Sequence, residues 1–311
     1  TNTQNFAKKA EEITGYAVTP FASIEDICND ETIDWVIILT PPNARQDIVN
    51  ALAKADKPVL SEKPLERTYQ AVREIVQICE DNEVQLGVVF QHRMRASSQK
   101  LRELIDDGAL GELAIAEVHV PWWREQSYYD EPGRGTYDRD GGGVLISQAI
   151  HSLDLLLSLT GPVSEVQAMA HSTSLHKMEA EDYVTAGMKF TNGATGTLVA
   201  STASFPGKAE SISLHFTNCV THLESGELTL NWRDGRSESF GESASTGGGA
   251  DPMAFTHDWH RGIIEDFSDS IHESRDPLIS GREALKVHAL IKALTQSSNT
   301  KQSVKLEEIE T

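Results

Sequence analysis

Asp34 to Leu39 reads DWVIIL, apolar on both faces, and closes on Thr40-Pro41-Pro42. A strand with no polar face must be covered on both sides, as in a parallel sheet between helices, and the prolines end it in a loop. The pattern then alternates: a helix over about Ala44 to Ala55, a short strand Pro58 to Ser61, a helix from about Thr68 to Asn82, the strand Gln85 to Phe90, and a helix over about Ser97 to Asp107. An earlier helix is expected with Thr3 as N-cap, Phe6, Ala10 and Ile13 on one face, and Gly15 just past its end. Such alternation implies βαβ units with right-handed crossovers, and ligands bind beyond the carboxyl ends of such strands. Three polar loops fall there: Thr40 to Arg45, Ser61 to Leu65, and Gln91 to Arg95.

After Gly111 the pattern changes. Strand-like runs of alternating polarity occur at Glu117 to Trp122, Glu165 to His171, Asp182 to Phe190, Thr195 to Ala203, Glu210 to Phe216, Thr221 to Glu224 and Leu228 to Trp232, with turn signals such as Asn192-Gly193 between them. This suits an antiparallel sheet with one exposed face. Helices over about Ala254 to Glu273 and Arg282 to Ser297 close the chain. Within this half, Asp140 to Leu157 reads DGGGVLISQAIHSLDLLL, a glycine run opening into an amphipathic helix. The glycines allow a ligand close to the main chain, and Ser147, His151 and Asp154 stack along one helix face. That face is the candidate site.

The fold class is therefore α/β, a Rossmann-like parallel sheet lacking its first strands, plus an α+β domain with a large open, mainly antiparallel sheet. With 311 residues the boundary is placed between 1–110 and 111–311. A net charge of -20 repels phosphate backbones and anionic lipid, arguing against nucleic-acid and membrane partners. Cys28, Cys79 and Cys219 have no metal-type spacing, and the first residues, TNTQNFAKKAEE, lack a signal peptide's apolar region, so a cytoplasmic location is expected. His257-Asp258-Trp259-His260 reads as a helix start, not a metal site, and Gly247 to Gly249, in the stretch Ser243 to Asp251, as a loop.

TPPNAR at Thr40, SEKPL at Ser61, FQHR at Phe90, GALGEL at Gly108 and GGGVLISQAIHSLDLL at Gly141 together resemble the glucose-fructose oxidoreductase and inositol dehydrogenase family, Gfo/Idh/MocA, over nearly the whole chain. The resemblance implies an oxidoreductase using NAD or NADP, with Lys63 and His151 catalytic and a cis Lys63-Pro64 bond. It also implies a cofactor cleft lined by Thr40, Pro41, Asn43, Glu62, Lys63, Gln91 and Arg93. The substrate implied is a sugar, nucleotide sugar or cyclitol, and assembly as a homo-oligomer, dimer or tetramer, through the open sheet.

In chemical terms, hydride leaves a secondary alcohol carbon as a base takes the hydroxyl proton, a task for neutral His151, with Lys63 steadying the oxygen. Many relatives carry aspartate where this chain has Ser147, so any part Ser147 takes is limited to hydrogen bonding. No G-x-G-x-x-G occurs, and the chain begins at what resembles the helix after the second strand, so a fragment with an incomplete cofactor site is expected. The alternative is a non-catalytic sugar-binding or structural protein derived from such a dehydrogenase. Ser147 with His151 as a hydrolase pair lacks a nucleophile-elbow motif. Pro121 to Arg139, PWWREQSYYDEPGRGTYDR, suits an acidic or phosphorylated sugar, because aromatic rings stack on sugar faces and Arg grips oxyanions; the alternative is that these aromatics cover the sheet or make a subunit contact. Trp123, Arg124 and Tyr129, with Gln148, Lys63 and His151, are the candidate substrate residues.

Overall fold

The computed structural model describes residues 2–242 and 256–307. The first sheet contains three parallel strands in the order β1 (Val36–Ile38), β2 (Val59–Ser61), β3 (Leu86–Val88), with Val36 opposite Val59 and Val59 opposite Leu86. Helices α1 (Asn2–Thr14) and α2 (Ile24–Asn29) precede it, and α3 (Arg45–Ala53) and α4 (Tyr69–Asp81) form the crossovers. Thr68 caps α4, its hydroxyl accepting from the Ala71 amide. Val49, Leu52, Val72 and Ile75 are sealed against the strands.

One expectation for the first helix fails: Thr3 lies inside α1, which already runs from Asn2, so it is not the cap. Phe6 and Ile13 are 72% and 74% exposed.

After α5 (Ala96–Asp106) the second sheet begins with β4 (Leu113–Pro121) and continues through α6 (Gln126–Tyr129), α7 (Ile150–Thr160), β5 (Val163–His171), β6 (Tyr183–Phe190), β7 (Thr195–Ser201), β8 (Ser211–Phe216), β9 (Cys219–Glu224), β10 (Glu227–Trp232), β11 (Ser237–Phe240), α8 (Asp258–His272), α9 (Gly281–Thr300) and β12 (Val304–Lys305). Its nine strands lie in the order β11-β10-β9-β8-β4-β7-β6-β5-β12, all pairs antiparallel except β4 with β7. The sequence reading missed the edge strands β11 and β12, of four and two residues, which are too short for alternation to register. The stretch Ser243 to Asp251, with Gly247 to Gly249, lies outside the described residues.

The chain's last third returns to the first sheet. Val88 N donates to Ile279 O at 3.0 Å, and Phe267 of α8 meets Trp35 edge-on, with ring centroids 5.3 Å apart. Leu290 and Leu294 of α9 join the same buried core as Leu60 and Val72. The last strand of the first sheet ends at Val88 and the second sheet begins at Leu113, while one buried core includes residues of both.

The glycine run sits where the two halves meet. Gly141 and Gly142 have φ of +84° and +153°. A Cβ on Gly143 would lie 1.8 Å from the Glu181 carbonyl oxygen, and one on Gly141 2.6 Å from Arg67 Cα. At Gly141 and Gly143 the close approach the glycines allow is therefore to the protein's own backbone. Gly143→Ala should lower the unfolding free energy by more than about 2 kcal/mol, because backbone must move to admit the methyl. Gly187→Ala in β6, where a Cβ meets nothing within 4 Å, should stay within about 1 kcal/mol of the parent in the same denaturant titration.

Candidate functional site

Beyond the glycines the chain makes a π-helical turn, Leu145–Ala149, and then enters α7. A helix start leaves amides unpaired and favours negative charge. Here Glu181 supplies both needs. Its Oε2 and Oε1 accept from the Gly143 and Leu145 amides at 3.1 Å each, and its carbonyl accepts from Val144 N at 2.8 Å. Burial pushes the Glu181 carboxyl up, against these amides, which favour the charge. The next residue, Asp182, accepts from Thr173 N at 2.7 Å and lies 2.8 Å from His176 Nδ1, while His176 Nε2 sits 2.9 Å from the Arg124 carbonyl.

From the first sheet, β2 delivers Glu62 and Lys63 to its carboxyl edge, and the Lys63-Pro64 bond is cis, as the family resemblance implies. Buried Arg45 ties two of the three loops together. Its Nε and Nη2 donate to Thr40 O at 2.9 and 2.7 Å, and its Nη1 donates to the Glu62 and Pro64 carbonyls. Lys63 Nζ crosses to the other half and donates to Ser147 O at 2.9 Å. Burial pulls the Lys63 ammonium down, Glu62 opposes, and Arg45, Arg134 and Arg124 add to the depression.

Ser147 lies one helical turn before His151, whose ring is 6% exposed. The His151 imidazole faces the edge of Phe90 at 6.1 Å and stacks on His92, centroids 4.9 Å apart and planes 28° apart. Burial first, then Lys63, His92, Arg95 and His260, hold His151 well below the ordinary histidine value. His92 is lowered likewise, by burial and then Arg95, Lys63 and His260.

The third loop is a 3-10 turn, Gln91–Met94. Adjacent residues of such a turn point roughly 120° apart. His92 therefore faces His151, while Arg93 is turned onto Asp154, at 2.6 and 2.8 Å, and Glu283, at 3.1 Å. All three guanidinium nitrogens of Arg93, an expected residue of the cofactor cleft, are engaged by carboxylates, and Asp154, on the same helix as His151, is one of their acceptors.

Of the other candidates, Thr40 and Gln91 have buried oxygens, Oγ1 and Oε1, without partners among the described residues. Pro41 and Asn43 are exposed beside them. Such orphaned acceptors and hydroxyls, at the carboxyl edge of a parallel sheet, fit the polar edge of a dinucleotide. Glu62 Oε2 accepts from Lys63 N at 3.0 Å. In the aromatic stretch, Tyr129 is buried and its hydroxyl is paired with Thr202 at 2.6 Å, which fixes it as a support. Tyr128, absent from the candidates, takes the outer position: its hydroxyl accepts from Arg134 Nη1 at 3.1 Å and Gln148 Nε2 at 3.4 Å. Trp123 packs 5.4 Å from His176, and Arg124 lies 5.1 Å over Trp122.

His92, Arg95, His260 and Tyr128 were not among the candidate site residues, although each lies inside a segment the sequence singles out: His92 and Arg95 in the loop Gln91 to Arg95, Tyr128 in the aromatic stretch, and His260 in His257-Asp258-Trp259-His260. His257 stands at the start of α8, as expected, and among the described residues no three candidate metal ligands cluster.

A family model described as "Oxidoreductase family, NAD-binding Rossmann fold" matches residues 2–90, and one for the GFO/IDH/MocA C-terminal domain matches residues 98–220. The chain is 28% identical over 247 residues to 1,5-anhydro-D-fructose reductase of Ensifer adhaerens, covering 75% of this chain and 70% of that protein. It is 27% identical over 168 residues to an uncharacterized oxidoreductase of Schizosaccharomyces pombe, 52% of this chain but only 44% of that protein, so less than half of that relative's length is matched. The WlbA dehydrogenase from Bordetella pertussis, solved in complex with NADH and UDP-GlcNAcA, superposes with a TM-score of 0.79 at 25% identity, covering 98% of this chain and 88% of that one.

Buried histidines also set the acid response. His288 of α9 is pulled down to about 3 by burial, with Arg45 adding to it. The folded protein keeps this ring neutral where the unfolded chain protonates it, so its contribution is complete above about pH 6.5 and is lost as pH falls toward 3. The full window is worth on the order of 5 kcal/mol. His288→Leu should flatten the unfolding free energy between pH 6.5 and 4, measured by urea titration at each pH; an unchanged slope would contradict this.

Proposed function

The chain belongs to the Gfo/Idh/MocA oxidoreductase family, with an NAD-binding Rossmann fold in its first part, and from that premise we propose that it moves hydride between a nicotinamide cofactor and a secondary alcohol carbon of a sugar, nucleotide sugar or cyclitol. The reading is carried by one observation: Lys63 Nζ, from the parallel sheet, is bonded at 2.9 Å to the Ser147 carbonyl, on the segment that presents His151. An ammonium and an imidazole thereby serve one cleft from opposite halves of the molecule.

The nicotinamide ring, when bound, accepts or returns the hydride. The chain's residues handle the rest. His151, held neutral, takes the hydroxyl proton. Lys63 donates to the alcohol oxygen and stabilises its developing charge. Ser147 offers a hydrogen bond at most, because its hydroxyl is no carboxylate. Thr40 Oγ1 and Gln91 Oε1 are available to the cofactor.

For the substrate, the local charge favours an acid. In a protein of net charge -20, the Lys63 neighbourhood contains Arg45, Arg124 and Arg134, with Glu62 the opposing carboxylate. A carboxylate or phosphate entering among these cations offsets their repulsion, and beside Lys63 it weakens one of the charges that hold His151 low. Tyr128 and Trp123 supply ring faces for the sugar. The bound UDP-GlcNAcA in the Bordetella pertussis relative agrees with this class.

Turnover of uronic acids, nucleotide sugars, neutral sugars and cyclitols should be followed by NADH and NADPH absorbance. Lys63→Met and His151→Asn should each lower kcat/KM by about 10²-fold to 10⁴-fold while NADH binding, read by fluorescence, persists. Variants retaining parental turnover would sink the assignment of these residues. NADH or sugar binding by the parent without turnover on the panel would favour the non-catalytic alternative.

A further inference from the structure

His151 lacks the support that a catalytic imidazole ordinarily has. Its Nδ1 is buried with no hydrogen-bond partner among the described residues. The one carboxylate on its helix, Asp154, is held by Arg93. What fixes the ring is packing, perpendicular to the ring of Phe90 and stacked on the ring of His92.

His92 is itself anchored. It is 6% exposed, and its Nε2 lies 4.0 Å from Glu210 Oε1. That carboxylate accepts from Arg95 Nη2 at 2.7 Å and from Trp122 Nε1 at 3.2 Å. Trp259 of α8 meets His92 edge-on at 6.4 Å and carries the Arg95 guanidinium 4.5 Å over its ring. His92 thus spans a braced network of β4, β8 and α8 flanks and the imidazole of α7.

We propose that His92 is a positioning residue for the reaction: its stacked ring fixes the plane of the His151 imidazole, a task that a carboxylate on Nδ1 performs in other catalytic histidines. The proposal rests on the reading of His151 as the base. The charged and titratable groups facing the pair are Lys63 from the β2 loop, Arg95 from the third loop, Glu210 before β8, and His260 from α8, with Glu62 behind Lys63 and His260. Of these, the cations and burial disfavour a proton on either ring, so the stack stays a contact between two neutral imidazoles.

The test compares His92→Phe, His92→Asn and His92→Ala in the full chain, reading kcat, KM, the pH profile of kcat and the ¹³C imidazole titration of His151. His92→Phe, which retains a flat ring, should hold kcat within about 3-fold, whereas His92→Ala and His92→Asn should lower kcat about 10-fold or more with KM within about 2-fold. In the latter two, water reaches the His151 ring and its titration should move up by about one pH unit, with the acid limb of kcat following. Loss of thermal stability with the His151 titration and the pH profile unmoved would assign His92 a purely structural role and overturn the proposal. Should His151→Asn retain full turnover, the base assignment fails instead, and the titration of His151 still reports whether His92 clamps it.

Discussion

The structure depends on one dipeptide, Glu181-Asp182, at the entrance to β6. Glu181 fills the start of the helical segment that bears His151. Asp182 reaches through His176 to the Arg124 carbonyl, and its own carbonyl accepts from the Thr202 amide, beside the hydroxyl that holds Tyr129. The helix that bears His151 and the aromatic stretch are thereby referenced to a single strand of the large sheet. Such support matters because a displacement on the order of 1 Å in a reacting group can cost about 10²-fold in rate.

The other half is organised by Arg45 in the same way. A buried guanidinium gathers the Thr40, Glu62 and Pro64 carbonyls, pulling the first two loops into one wall. Its pKa is drawn down to about 10 by burial, with Glu62 and Glu66 opposing, so it remains cationic across ordinary pH. Together with Lys63 and the arginines of the aromatic stretch it leaves a positive cleft in an acidic protein.

Much of the architecture was legible because periodicity is local. The strand at Val36 to Ile38 and the alternation along β6 and β7 can each be read from a few neighbouring residues, although the run expected to be covered on both faces leaves Ile37 and Leu39 36% and 71% exposed. Lys63 and His151 were legible through family motifs. The partners were not. Glu181 lies 38 residues from the Gly143 amide it satisfies, and Glu210 lies 115 from Arg95. No spacing rule couples such positions.

The sequence alone determined two sheets of different grammar, a polar loop at each parallel strand's end, and a glycine-led helix carrying a histidine. Tertiary structure alone decided what each side chain meets: His92 stacks on His151 while Arg93 is held by Asp154, Tyr128 bonds Arg134 while Tyr129 bonds Thr202, and Glu181 takes the Leu145 amide. The reason is geometric. Hydrophobic pattern fixes which face of an element is buried, but a short turn rotates roughly 120° per residue, and only the packed neighbours select the residue that points inward.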